Sequence, residues 1–211
     1  MAGLRLFIGN RRFSSWSLRA WLVLRKAGLA FEESLVPLYG EETRRALSEI
    51  SPGGTVPVLH TPNAIVWDSL AIAEWAAERV PELWPVHDGQ RAQARSVTAA
   101  MHSGFAALRQ TCPMDLCREP CPAELNDATR SDIAAIQALW NAVGSLDGPF
   151  LFGRWSIADA FFTPVAVRCR CYGVVLHAGA QEYCDTLLAD EDYRAWQDAA
   201  AAETFPNPYD H

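Results

Sequence analysis

Ser14 and Ser15 are the residues best placed to do chemistry, because their hydroxyls stand where a strand gives way to a helix. Before them Leu4, Leu6 and Ile8 alternate as a half-buried strand does, and after them Leu18, Trp21, Leu22 and Leu29 recur at helical spacing. The serines therefore open a helix. The first N–H groups of a helix lack intrahelical partners and its dipole is positive there, so an anion such as a thiolate is stabilised at that point before any side chain contributes. Serine is also among the commonest helix caps, so the pair gains meaning only from its surroundings.

Two further segments supply them. Ser51-Pro-Gly-Gly-Thr-Val-Pro-Val-Leu59 reads as a loop leading into a short apolar strand. Pro57 falls at the strand start, where proline is tolerated and where an X-Pro bond adopts the cis form at modest cost. A cis Val56–Pro57 bond would turn the backbone of Val56 toward an extended peptide ligand, in the manner of strand addition. Ala64-Ile-Val-Trp67 is a second short strand, and Asp68-Ser69 opens the helix after it. Both residues are favoured caps, and an acid is stabilised at the positive end of the dipole. As ligand groups, Ser69 suits a carboxylate and Asp68 an ammonium, the two ends of a zwitterionic amino acid.

In this order the segments resemble the thioredoxin-like half of a cytosolic glutathione transferase. Ser14-Ser15-Trp16-Ser17-Leu18-Arg19 is similar to the serine motif of the zeta class and related bacterial enzymes, with Trp16 where the zeta pattern has cysteine. Gly153-Arg-Trp-Ser-Ile-Ala-Asp159 resembles the buried capping motif of the family's helical domain, and serine with an acid three residues on is a capping-box arrangement. The resemblance implies an α+β thioredoxin-like domain over 1–83, a linker over 84–90, an all-α domain over 91–211 and a homodimer.

It also implies that glutathione is the co-substrate. A free thiol with a pKa near 8.5 is only a few per cent ionised at neutral pH. Lowering that pKa by about two units takes roughly 2.7 kcal/mol of preference for the anion, and one charge-assisted hydrogen bond supplies roughly 1.5–3 kcal/mol. A single hydroxyl is therefore sufficient in magnitude. Carried over by the resemblance, Ser14 is the first donor and Ser15 the second. Trp16, Thr55, Val56, Pro57, Asp68 and Ser69 would hold glutathione, with Arg44 as a candidate for its glycyl carboxylate. A small electrophile would lie between the domains against Met101, His102, Phe105 and Arg109, which a continuous helix would place near one face. Conjugation and isomerisation of a maleyl-type acid both fit. The same fold without thiol activation would be an interaction scaffold.

Composition narrows the alternatives. The 211 residues suit two domains, and no apolar run reaches the roughly eighteen residues of a membrane span. No export signal precedes the first strand, so a cytoplasmic location is expected. Up to Arg91 the chain holds ten basic and ten acidic residues, so the net −7 belongs to the remainder, which disfavours nucleic acid. Arg11, Arg12 and Arg19 crowd the serine loop, and Arg44 and Arg45 follow on the next helix, a basic rim suited to anionic glutathione. The six cysteines match no structural zinc spacing and are expected as free thiols, with no metal.

The periodicities predict strand 4–8, helix 16–28, strand 31–36, helix 42–50, strands 56–60 and 64–67 and helix 69–80. Helices are then expected over 91–110, 123–143, 157–172, 178–188 and 192–203, with an extended tail at 205–209.

Overall fold

The computed structural model describes residues 3–39, 42–144 and 148–205. The tail expected at 205–209 lies outside these beyond Phe205. The alternation of Leu4, Leu6 and Ile8 makes β1 (Leu4–Ile8), whose Leu6 and Ile8 are fully buried. The chain then turns into α1 (Ser15–Lys26), which packs Leu18, Leu22 and Leu24 inward and presents Arg25 and Lys26 at its negative end. Gly28, at φ 65, turns the chain out of that helix, a left-handed conformation that glycine adopts without a Cβ penalty. Next come β2 (Phe31–Leu35), α2 (Thr43–Ile50), β3 (Val58–His60), β4 (Ile65–Val66) and α3 (Ser69–Ala77).

The four strands form one sheet in the order β2-β1-β3-β4. β1 runs parallel to β2 through the α1 crossover, while β3 pairs antiparallel with both β1 and β4. The sheet and its helices have the thioredoxin-like arrangement.

A 3-10 turn at Pro81–Leu83 leads into the helical half: α4 (Asp88–Ser103), α5 (Ala106–Thr111), α6 (Asp127–Val143), α7 (Ile157–Cys171), α8 (Ala178–Ala189) and α9 (Glu191–Ala201). The single helix expected over 91–110 is two. Gly104 ends α4, and Phe105 takes a left-handed conformation at φ 61, so α5 starts on a new axis. The offsets of Met101, His102, Phe105 and Arg109 therefore do not define one face.

α7 is the axis of the helical half and is buried along nearly its whole length. It packs on α1, α4 and α8, so α1 is enclosed by both halves of the molecule. Further ties cross at the far end of α1, where Lys26 pairs with Asp190 at 2.7 Å and with Asp192 at 3.0 Å. Trp21 also packs on Trp196 with ring centroids 5.3 Å apart. Among the described residues, no helix is long and apolar enough to cross a membrane.

Candidate active site

The start of α1 is built from hydroxyls. Ser14 is the N-cap, and its oxygen accepts the Ser17 N–H at 3.3 Å. The Ser14 and Ser17 hydroxyls lie 2.8 Å apart, and the Ser17 oxygen also accepts the Gly9 N–H at 3.0 Å. Ser15 follows as the first helical residue, and its oxygen accepts an N–H of Arg168, from α7, at 3.4 Å. Both serines are nearly buried, at 5% and 6% exposure.

They line a hollow of about 350 Å³ between the two halves. Its first wall includes Ser14, Ser15, Trp16, Thr55 and Val56, and its second Arg109, Met114 and Arg168. The Val56–Pro57 peptide is cis, the form for which the sequence made it a candidate, and the buried Pro57 feeds straight into β3. Two guanidinium groups thus face two hydroxyls and a helix N-terminus. Arg168 is buried and donates to the Cys112 carbonyl at 2.9 Å and the Pro164 carbonyl at 3.2 Å. Arg109 stacks on Trp16 at 4.9 Å and donates to the Met101 and His102 carbonyls. Burial lowers the pKa of Arg109, against an opposing pull from Asp132.

Asp68 and Ser69 are not among the residues that line this hollow, but Asp68 reaches its wall through His102, whose ring lies 5.2 Å from that of Trp16. Asp68 caps α3, its Oδ1 accepting the Leu70 N–H at 3.0 Å and the Ala71 N–H at 3.3 Å. Its Oδ2 is 2.9 Å from Nε2 of His102, on α4. Burial lowers the His102 pKa, Asp68 raises it, and Arg19 and Arg109 lower it further. Ser69 is fully buried, and its hydroxyl has no hydrogen-bond partner.

Several residues named from the sequence fall elsewhere. Arg44 is exposed on α2 and does not line the hollow. Met101 is fully buried core and Phe105 packs against that core, which leaves Arg109 as the residue of its group that reaches the hollow. Nor do Arg11 and Arg12 form an open basic rim. Arg11 pairs with Glu33 and Glu203, and Arg12 makes a two-pronged pair with Asp115 at 2.5 and 2.9 Å. Arg168 was missed because it lies in Val165-Ala-Val-Arg-Cys-Arg-Cys171, a run that reads as a buried helix. An arginine inside such a run was the available signal.

Size does not single this hollow out. One of about 490 Å³ lies between α6 and α8, lined by Trp140, His177 and Tyr183 among others. Its histidine is occupied as the α8 cap, with Nδ1 accepting the Ala180 N–H at 3.1 Å.

Residues 13–79 match the family described as glutathione S-transferase, N-terminal domain. A probable maleylacetoacetate isomerase of Caenorhabditis elegans is 33% identical over 100 residues, 46% of this chain. The match spans a little under half of that relative, 46% of its length. A glutathione transferase homologue from Burkholderia gl BGR1, solved with bound glutathione, superposes with a TM-score of 0.75 at 23% identity, covering 95% of this chain and 99% of that one. The holo structure of maleyl pyruvate isomerase, a bacterial zeta-class glutathione S-transferase, gives 0.73 at 24% identity, covering 96% and 100%. The chain thus has the glutathione transferase fold, and its residues 13–79 match the glutathione S-transferase N-terminal domain family.

Proposed function

We propose that this protein is a glutathione-dependent transferase or isomerase whose electrophile carries a carboxylate. One observation carries the reading: Ser14 and Ser15, at the start of α1, line the same hollow as Arg109 and Arg168. Hydroxyls at a helix N-terminus favour a sulfur anion, and guanidinium groups favour a carboxylate. A maleyl-type acid presents both an electrophilic carbon and that charge.

Glutathione would supply the nucleophilic sulfur. Thr55, Val56 and Pro57 would border its peptide backbone, with Trp16 beside the thiol. Ser69 fits the γ-glutamyl carboxylate, because its buried hydroxyl lacks a partner and an acceptor there would satisfy it. Asp68 would take the amino group once His102 yields its oxygen. Ser14 can give its proton to a sulfur while Ser17 turns its own toward Ser14, since a hydroxyl rotates without moving heavy atoms. Ser15, held by Arg168, is the second donor.

The engagement of Asp68 by His102 favours a second reading, in which glutathione is held weakly and the fold serves as a scaffold. Turnover measurements separate the two. With glutathione present, a maleyl-type acid should be converted faster than an uncharged haloaromatic of similar size. Equal rates would remove the role given to Arg109 and Arg168, and no turnover of either would favour the scaffold.

A further inference from the structure

We infer that the buried guanidinium of Arg19 is the fixed positive charge that helps keep the bound thiol ionised, acting across the Trp16 ring as a positioning residue. This rests on the proposal that glutathione occupies the hollow. Arg19 lies one turn beyond Ser15, so the two share a face of α1, and helical side chains lean back toward the N-terminus. Its guanidinium sits between two rings, 4.5 Å from the centroid of Trp16 and 5.1 Å from that of Phe161 on α7. Trp16 lines the hollow and carries Arg109 on its ring as well, so Arg19 lies behind a residue of the hollow's wall.

The side chain is 1% exposed, and its Nε and Nη1 have no hydrogen-bond partner. Burial lowers its pKa, Arg168 and Arg109 lower it further, and Asp68 opposes them. A guanidinium starts so far above neutrality that it keeps its proton even so. Asp68 is the opposing charge, but its oxygens bond to the α3 N–H groups and to His102 and leave the Arg19 Nε and Nη1 unpaired.

An arginine kept for hydrogen bonding would have its N–H groups satisfied, and one kept for packing would be replaced without loss by an apolar side chain. Neither account explains two idle donors beside two like charges. An anion in the hollow does, because in a water-poor interior a charge acts at a distance that solvent would otherwise screen.

The test is the thiol pKa of bound glutathione, read from ultraviolet thiolate absorbance as a difference from the ligand-free protein. Arg19→Met should raise that pKa by about one unit, while affinity for S-methylglutathione, which has no thiol to ionise, stays within about twofold. Arg19→Gln should give the same rise and serves if the methionine variant does not fold. In the wild type the thiol pKa should hold steady as salt is raised, since a buried charge is weakly screened. An unmoved pKa in a variant that still binds S-methylglutathione overturns the inference alone, as does a wild-type pKa that climbs steeply with salt. A wild type that binds neither glutathione nor S-methylglutathione overturns the glutathione reading along with it.

Discussion

Among the described residues two helices have serine as their N-cap, α1 with Ser14 and α7 with Ser156, and they use it in opposite ways. At the start of α7 the Ser156 N–H and hydroxyl both donate to Asp159 Oδ2, at 2.8 and 2.9 Å. Asp159 Oδ1 accepts the Tyr183 hydroxyl at 2.9 Å and the Leu151 N–H at 3.3 Å. Every group there has an internal partner, and Asp159 is fully buried. At the start of α1 there is no acid in the first turn, and Ser14 and Ser15 line a hollow edged by arginines. The same residue type thus closes one helix end and leaves the other receptive. What differs is whether the chain supplies the anion.

The comparison breaks most visibly at the closed end. Asp159→Ala removes the acceptor for four donors and should cost about 3–5 kcal/mol of stability in chemical denaturation. Burial raises the Asp159 carboxyl from its usual 3.8 to about 6, against the lowering by its bonds to Tyr183 and Ser156. The folded state then holds this proton more tightly than the unfolded chain does. Its stabilising contribution is full below pH 3.8 and is lost as pH rises through about 6, a change of about 3 kcal/mol. Asp159→Asn should flatten that part of the pH dependence of the thermal midpoint. A slope unchanged in the asparagine variant would show that another group titrates there.

At the open end the expected losses are in chemistry rather than stability. Ser14→Ala should lower kcat/KM by roughly 100-fold, the equivalent of about 2.7 kcal/mol, while costing about 1 kcal/mol of stability as a lost cap. If Ser15→Ala lowers kcat/KM more than Ser14→Ala does, the order of the two donors is reversed. A smaller effect is expected from Arg109→Met. It should raise KM for a carboxylate-bearing electrophile about tenfold and leave KM for glutathione nearly unchanged, consistent with loss of one partly exposed charge contact. A rise confined to glutathione would move Arg109 to the other side of the hollow.

Local signals carried much of this into the sequence. The alternation of Leu4 to Ile8, the cap pairs Ser156/Asp159 and Asp68/Ser69, and the proline at the start of β3 are each set by neighbours a few residues away, and each was readable. The interior of the hollow was less so. Arg168 reaches Ser15 across 153 positions of chain. His102, in the last turn of α4, meets Asp68 at the start of α3, and no spacing encodes that contact. The break at Gly104–Phe105 was hidden by alanine-rich sequence on both sides, whose helical preference outweighs one glycine. Periodicity thus located the elements, whereas contacts between elements decided which polar groups share a cavity.

The α1 end is proposed to ionise a bound thiol, and NMR titration of glutathione labelled with carbon-13 at its cysteinyl Cβ reads that ionisation. Bound to the wild type, the label should titrate about two pKa units below free glutathione, and Ser14→Ala should return it most of the way. A bound label that titrates with the free tripeptide in both proteins would contradict the account.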